Sequence, residues 1–163
     1  MTPDTETAVT VDAGGNVQWG DKLVVNPWDE YAITEAVLLK SAHNGQVTVM
    51  TVGAEAQAEA LKHGLAIGCD QAIRLWDPAL ASGDSLAYAS AAAAAIRKLG
   101  DVDLVIFGKE MSDSASDQHV FQTARKLGWT MIGFVAKIEA IDFAARTIRV
   151  RRMTDQGTEV VSG

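Results

Sequence analysis

Residues 108–123 read GKEMSDSASDQHVFQT. They gather hydroxyls, carboxylates, a lysine and a histidine directly after an apolar run, Asp103-Leu104-Val105-Ile106-Phe107. A small polar loop between a buried strand and a helix start is where an open α/β sheet takes nucleotides. Ligands lie outside the carboxyl ends of the strands, and a helix N-terminus offers free N–H groups to an anion. A second start of this kind stands at Asn26, Pro27, Trp28 and Asp29. Asparagine suits the N-cap, proline the first helical position and aspartate the first turn, so helix initiation alone explains three of the four. Trp28 adds a ring able to stack on an adenine or flavin. Val52-Gly53 and Trp76-Asp77 end neighbouring apolar runs and border the same crevice, where Gly53 permits close approach of backbone or ligand.

Other reactive side chains have plainer explanations. Ser116 or Asp117 can cap the following helix, although residues 109–118 are more than a cap needs. His119 reads as a solvated helix residue and Cys69 as a small packing residue without a charged neighbour. Arg149, Arg151 and Arg152 could hold a phosphate or an acidic partner, but they fall on an alternating strand, which favours a solvated face. No Ser-His-Asp arrangement, paired-carboxylate pattern, GxGxxG or GxxxxGK[ST] occurs. Covalent and hydrolytic catalysis therefore have no visible apparatus.

The totals fit this picture. A chain of 163 residues can bury one core. A net charge of −7 opposes non-specific binding to nucleic acid or anionic membranes, which need a basic face. One cysteine and three scattered histidines provide no disulfide and no metal-ligand spacing. No secretory signal is visible in MTPDTETAVTV, and no apolar run reaches the ~20 residues of a membrane span, so the expected location is the cytoplasm without membrane insertion.

The elements that must position these residues follow from spacing. Residues 1–25 read as an irregular or hairpin start with a turn at Gly14-Gly15-Asn16. A helix runs from Asn26 to about Ala42, stopped by Asn44-Gly45. A strand over 47–52 and a helix over 54–67 precede a strand over 72–76. An alanine-rich helix over 85–99, a strand over 103–107 and a helix over 117–127 follow. From Ile132 the pattern turns to antiparallel hairpins over 134–138, 147–151 and 158–161. The expected fold is α/β: a Rossmann-like parallel sheet with helices on both faces, of the adenine nucleotide alpha hydrolase type, then an antiparallel hairpin extension.

Five blocks carry a family resemblance: NPWDEYAITEAVLLK (26–40), VTVMTVG (47–53), ALKHGLAIGCDQAIRL (60–75), DLVIFGKEMSD (103–113) and LGWTMIGFVAKIE (127–139). Collinear over nearly the whole chain, they resemble the beta subunit of electron transfer flavoproteins. The resemblance implies a heterodimer whose alpha subunit holds the redox-active FAD, while the beta subunit binds AMP or a second FAD. It implies electron carriage from dehydrogenases, such as those for acyl-CoA, to a quinone reductase or similar acceptor, with no catalytic residues in this subunit. It places Asn26, Pro27, Trp28 and Asp29 beside the nucleotide, with Trp28 at the flavin edge. Val52 and Gly53 follow the second strand, and Asp113, Ser114, Ala115, Ser116, Asp117, Gln118, His119 and Thr123 form the phosphate and adenosine loop.

The chain departs from the family at three places. Family members open with an apolar strand before the Pro3-Asp4-Thr5 position and continue past Gly163. His119-Val120-Phe121 stands where they have threonine-glycine-glutamine. The expectation is a single domain over 1–163, incomplete at both ends, whose strands beside the absent one expose unpaired edges. The rival readings are a stand-alone adenine-nucleotide module of the universal-stress type and a fragment without function.

Overall fold

The computed structural model describes residues 2–4, 6, 8–18, 22–116 and 118–163. Short antiparallel pairs make up its start: β1 (Thr2–Pro3) lies against β4 (Leu23–Val24), and β2 (Thr10–Val11) against β3 (Val17–Gln18). The turn at Gly14-Gly15-Asn16 forms because the Asp12 carboxylate accepts from the N–H groups of Gly14 and Asn16, both at 2.9 Å.

Helix α1 (Pro27–His43) carries Asp29 and Glu30 in its first turn and Lys40 and His43 in its last, each sign complementing the helix dipole. Asn44 ends it in the left-handed region at φ 54°, its N–H donating to the Lys40 carbonyl. β5 (Thr48–Val52) and β6 (Gln71–Leu75) pair in parallel, from Thr48 opposite Gln71 to Val52 opposite Leu75. The crossover between them is a 3₁₀ turn over Glu55–Gln57 and then α2 (Ala58–Ile67), where the sequence predicts one continuous helix. Gly64 lets α2 approach the sheet: a Cβ there would stand 3.0 Å from Val49 Cγ1.

The Asp84 carboxylate caps α3 (Ser85–Leu99) by accepting from the Ala87 N–H. Ala89, Ala92, Ala93 and Ile96 are its buried face. It packs along α4 (Gln118–Leu127), whose buried residues are Val120 and Thr123, and also touches β5 and β6. The chain closes in an antiparallel meander of β7 (Val135–Asp142), β8 (Thr147–Thr154) and β9 (Gly157–Ser162). On it Arg149 and Arg151 both pair with Glu139, at 3.3 and 2.6 Å, and Arg152 pairs with Glu159 at 3.5 Å. These are the cross-strand pairs of a polar face.

The architecture is α/β, with a parallel pair, helices packed on it and an antiparallel extension. One expected strand is corrected. Residues 103–107 join no ladder, so among the described residues the parallel sheet has two strands. Apolar composition provides the faces of a strand, but only a neighbour provides its hydrogen bonds. Among the described residues no helix is long and apolar enough to cross a membrane.

Candidate functional site

Asn26 organises the site in a way its sequence context does not announce. Asn26 is the N-cap residue of α1, as its sequence context predicts, but its side chain makes no cap bond to the helix, which corrects only the expected bond. The helix start is held instead by the Asn26 carbonyl, which accepts from the N–H groups of Asp29 at 2.9 Å and Glu30 at 3.2 Å. The side-chain amide turns the other way. Its Nδ2 donates to the Glu110 carbonyl at 2.8 Å and to Asp29 Oδ2 at 3.1 Å, and its Oδ1 accepts from the Ser112 N–H at 3.1 Å. Asn26 is 1% exposed. A buried amide needs partners for both donor and acceptor, and a loop backbone presenting C=O and N–H two residues apart supplies both.

Asp29 completes the clamp: its Oδ1 accepts from the Gly108 N–H at 3.0 Å. Residues 79 to 86 apart in sequence are thereby fixed together. Gly108 is required for this approach. A Cβ there would meet Asp29 N at 2.6 Å and the Trp28 carbonyl carbon at 2.7 Å, as well as Asp29 Oδ1.

Trp28 projects beside the clamp and is 38% exposed. Its ring centroid lies 6.2 Å from that of Tyr31, tilted by 44°, and Lys109 Nζ stands 5.1 Å from the Trp28 centroid, within cation–π range. The result is an exposed aromatic pair with a lysine over it, at the carboxyl end of the 103–107 run. Lys109 also lies 3.3 Å from the Glu110 carboxylate.

The loop beyond folds on itself. The Met111 N–H donates to the Ser116 carbonyl at 3.0 Å, and the Ala115 N–H donates to the Met111 carbonyl at 2.8 Å. Ala115 takes the left-handed region at φ 49°. The Ser114 hydroxyl reaches Asp113 Oδ1 at 3.1 Å and the Ser116 hydroxyl at 3.0 Å. Asp113, Ser114 and Ala115 are exposed. Asp117, assigned to this loop from the sequence, lies outside the described residues. Gln118 opens α4 in an exposed position, and the His119 ring stands edge-on to Phe107 at 6.1 Å and 82°. Thr123 is fully buried, its hydroxyl donating to the His119 carbonyl at 2.6 Å.

Val52 and Gly53 end β5. The Gly53 N–H donates to the Leu75 carbonyl at 2.9 Å, and its own carbonyl accepts from Arg74 Nη1 at 3.2 Å. Among the described residues no hydrogen bond joins Val52 or Gly53 to the 26–29 or 108–116 segments. The structure thus joins two of the three expected segments directly. Asp77 caps the 3₁₀ turn over Pro78–Leu80. Cys69 is buried, and that burial pushes its thiol above the ordinary range, as suits a packing residue.

Sequence reasoning passed over Tyr31, and it placed Gly108 and Lys109 in the 108–123 stretch without giving either a role in the site. Glycine immediately after an apolar run was the available signal for Gly108. Tyr31 stands one helical turn after Trp28.

Comparison with known proteins adds an independent finding. The family model described as "Electron transfer flavoprotein domain" matches residues 17–162. The chain is 36% identical over 146 residues to "Protein FixA" of Azorhizobium caulinodans, covering 87% of this chain and 52% of that protein. It is 34% identical over 160 residues to "Electron transfer flavoprotein subunit beta" of Clostridium acetobutylicum, covering 98% and 60%. It is 33% identical over 161 residues to "Caffeyl-CoA reductase-Etf complex subunit CarD" of Acetobacterium woodii, covering 98% and 60%. The chain spans 52 to 60% of the length of these three relatives.

Proposed function

We propose, on the premise that this chain belongs to the electron transfer flavoprotein domain family as a beta-subunit-like member, that it is the nucleotide-holding subunit of an electron carrier. The nucleotide is AMP or a second FAD. Its partner is an alpha-type subunit holding the redox-active FAD. Dehydrogenases deliver the electrons, a quinone reductase or similar acceptor takes them, and the cytoplasm is the expected setting. The observation that carries this reading is the clamp. Asn26 and Asp29 fix residues 108–112 so that Trp28, Tyr31, Lys109 and the serine loop share one end of the fold.

The residues present suit an adenine nucleotide. Ser114 and Ser116 offer exposed or half-exposed hydroxyl donors beside the start of α4, and a helix N-terminus suits a phosphate. The ammonium group of Lys109 adds positive charge next to an aromatic face on which a ring system can stack. The polar atoms of Asn26 are already engaged by the loop, so Asn26 positions the site rather than touching a ligand. A bound flavin supplies the electron chemistry, and the chain supplies placement and shielding. Asn26 and Asp29 hold the loop, Trp28 and Tyr31 cover one side, and no side chain has to transfer a proton.

Titration of the chain with AMP tests this. Replacing Ser114 and Ser116 together by alanine should weaken binding about tenfold or more, since hydrogen bonds to a charged phosphate are lost. Unchanged affinity in the double variant would remove the serine loop from the site.

A further inference from the structure

Residues 108–123 hold two side chains able to carry positive charge, Lys109 and His119, against three carboxyl groups, Glu110, Asp113 and Asp117. A nucleotide phosphate adds further negative charge to a stretch that is already acidic. Lys109 is divided between neighbours. Its ammonium lies 3.3 Å from the Glu110 carboxylate and 5.1 Å from the centre of the Trp28 ring. It therefore balances a charge already present, and a phosphate calls for a second cation.

His119 stands where that cation is needed. It is the second residue of α4, in the turn where the helix dipole is positive. Its ring is half-buried and edge-on to Phe107 at 6.1 Å, next to the clamped Gly108. Its backbone is held as well, since the His119 carbonyl accepts from the buried Thr123 hydroxyl at 2.6 Å. The imidazole is thus placed where the 103–107 run, the serine loop and α4 meet. The other charged or titratable groups on segments packed against α4 are Asp103 at the far end of the run and Asp84, Tyr88, Arg97 and Lys98 of α3. Arg97 is engaged at the opposite end of α4, where it donates to the Lys126 carbonyl.

We infer that His119, as the imidazolium, is the cation that holds the phosphate of the bound nucleotide. The inference rests on the nucleotide reading above and assigns the residue that senses the phosphate. A phosphate beside the ring favours its charged form, so the imidazole titrates higher with nucleotide bound than without. Binding then takes up a proton, and affinity rises as pH falls through the bound-state value.

Calorimetric titration of the full chain with AMP and with adenosine tests it, between about pH 6 and pH 8.5, in two buffers of different ionisation enthalpy. His119→Gln removes the charge, and His119→Arg keeps it at every pH. The parent should take up protons on binding AMP near about pH 7 and, at about pH 6, bind AMP about tenfold more tightly than His119→Gln. His119→Arg should bind AMP without that proton uptake. Adenosine, which lacks the phosphate, should distinguish none of the three proteins. The second ionisation of AMP itself, near about 6, is common to all three and cancels in the comparison. Equal proton uptake and equal affinity in the parent and His119→Gln would overturn the inference and leave the nucleotide reading standing. Equal loss of AMP binding in both variants would make His119 structural and overturn it as well. A parent that binds no AMP anywhere in this range would overturn the nucleotide reading, and this inference with it.

Discussion

Replacing Gly108 by alanine probes the contact on which the site depends. The new methyl group would lie 2.6 Å from Asp29 N and 2.7 Å from the Trp28 carbonyl carbon, both backbone atoms at the start of α1. Neither can swing aside as a side-chain tip can, so the loop and helix must separate. Overpacking of this kind costs about 1–3 kcal/mol. Separation also stretches the 3.0 Å bond from the Gly108 N–H to the Asp29 carboxylate, worth about 1.5–3 kcal/mol for a charged acceptor. The lower chain entropy of unfolded alanine returns about 0.4–1 kcal/mol. The net expectation is a destabilisation of about 2–5 kcal/mol, read as a lower urea midpoint at unchanged slope. Asp29→Ala removes the carboxylate but not the backbone contacts. The two substitutions together should therefore cost less than their sum, by about 1–2 kcal/mol. A Gly108→Ala midpoint within about 0.5 kcal/mol of the parent, or strict additivity with Asp29→Ala, would refute the close approach described here.

Asn26→Ala should cost about 2–4 kcal/mol by urea unfolding, since it leaves the Glu110 carbonyl and the Ser112 N–H unpaired in a site that is 1% exposed. Asn26→Asp should not restore the loss, because a carboxylate cannot donate to Glu110 and adds charge beside Asp29. Asp70 gives a pH signature. Hydrogen bonding to the Lys40 ammonium, and then to the Val47 N–H, holds its carboxyl below the ordinary range. A carboxyl lowered in the folded state contributes stability above its unfolded value, near ~3.9, and loses it as pH falls through the folded value. Asp70→Asn should therefore lower stability at neutral pH and shrink the loss on acidification below about pH 4. Parallel acid profiles for parent and variant would count against the pairing.

Much of the fold was legible because its signals are local. Pro27 and Asn44 fix helix ends through their own geometry, and the alternation over β7 and β8 fixes a half-buried sheet. The short pair of β1 with β4 had no such signal, because a two-residue strand carries no period. The 103–107 run shows the opposite failure. Its sequence states an apolar strand clearly, but a ladder is a property of two segments, and composition cannot report whether the second is present. The site divides in the same way. Trp28 and the serine loop stood out by residue type. Asn26 was identified for the wrong bond, since capping is the local use of asparagine and its partners here lie 84 and 86 residues away. Gly108 looked like a simple strand end until the backbone of α1 was found against it.

The measurement closest to the central claim is co-purification of this chain with a candidate alpha-type subunit, followed by acid release and chromatography of the bound nucleotides. The account predicts a stable complex that releases FAD together with AMP, or FAD in twofold amount, and that loses the nucleotide of this subunit when Ser114 and Ser116 are replaced by alanine. A complex in which this chain holds no nucleotide, or no complex at all, would contradict it.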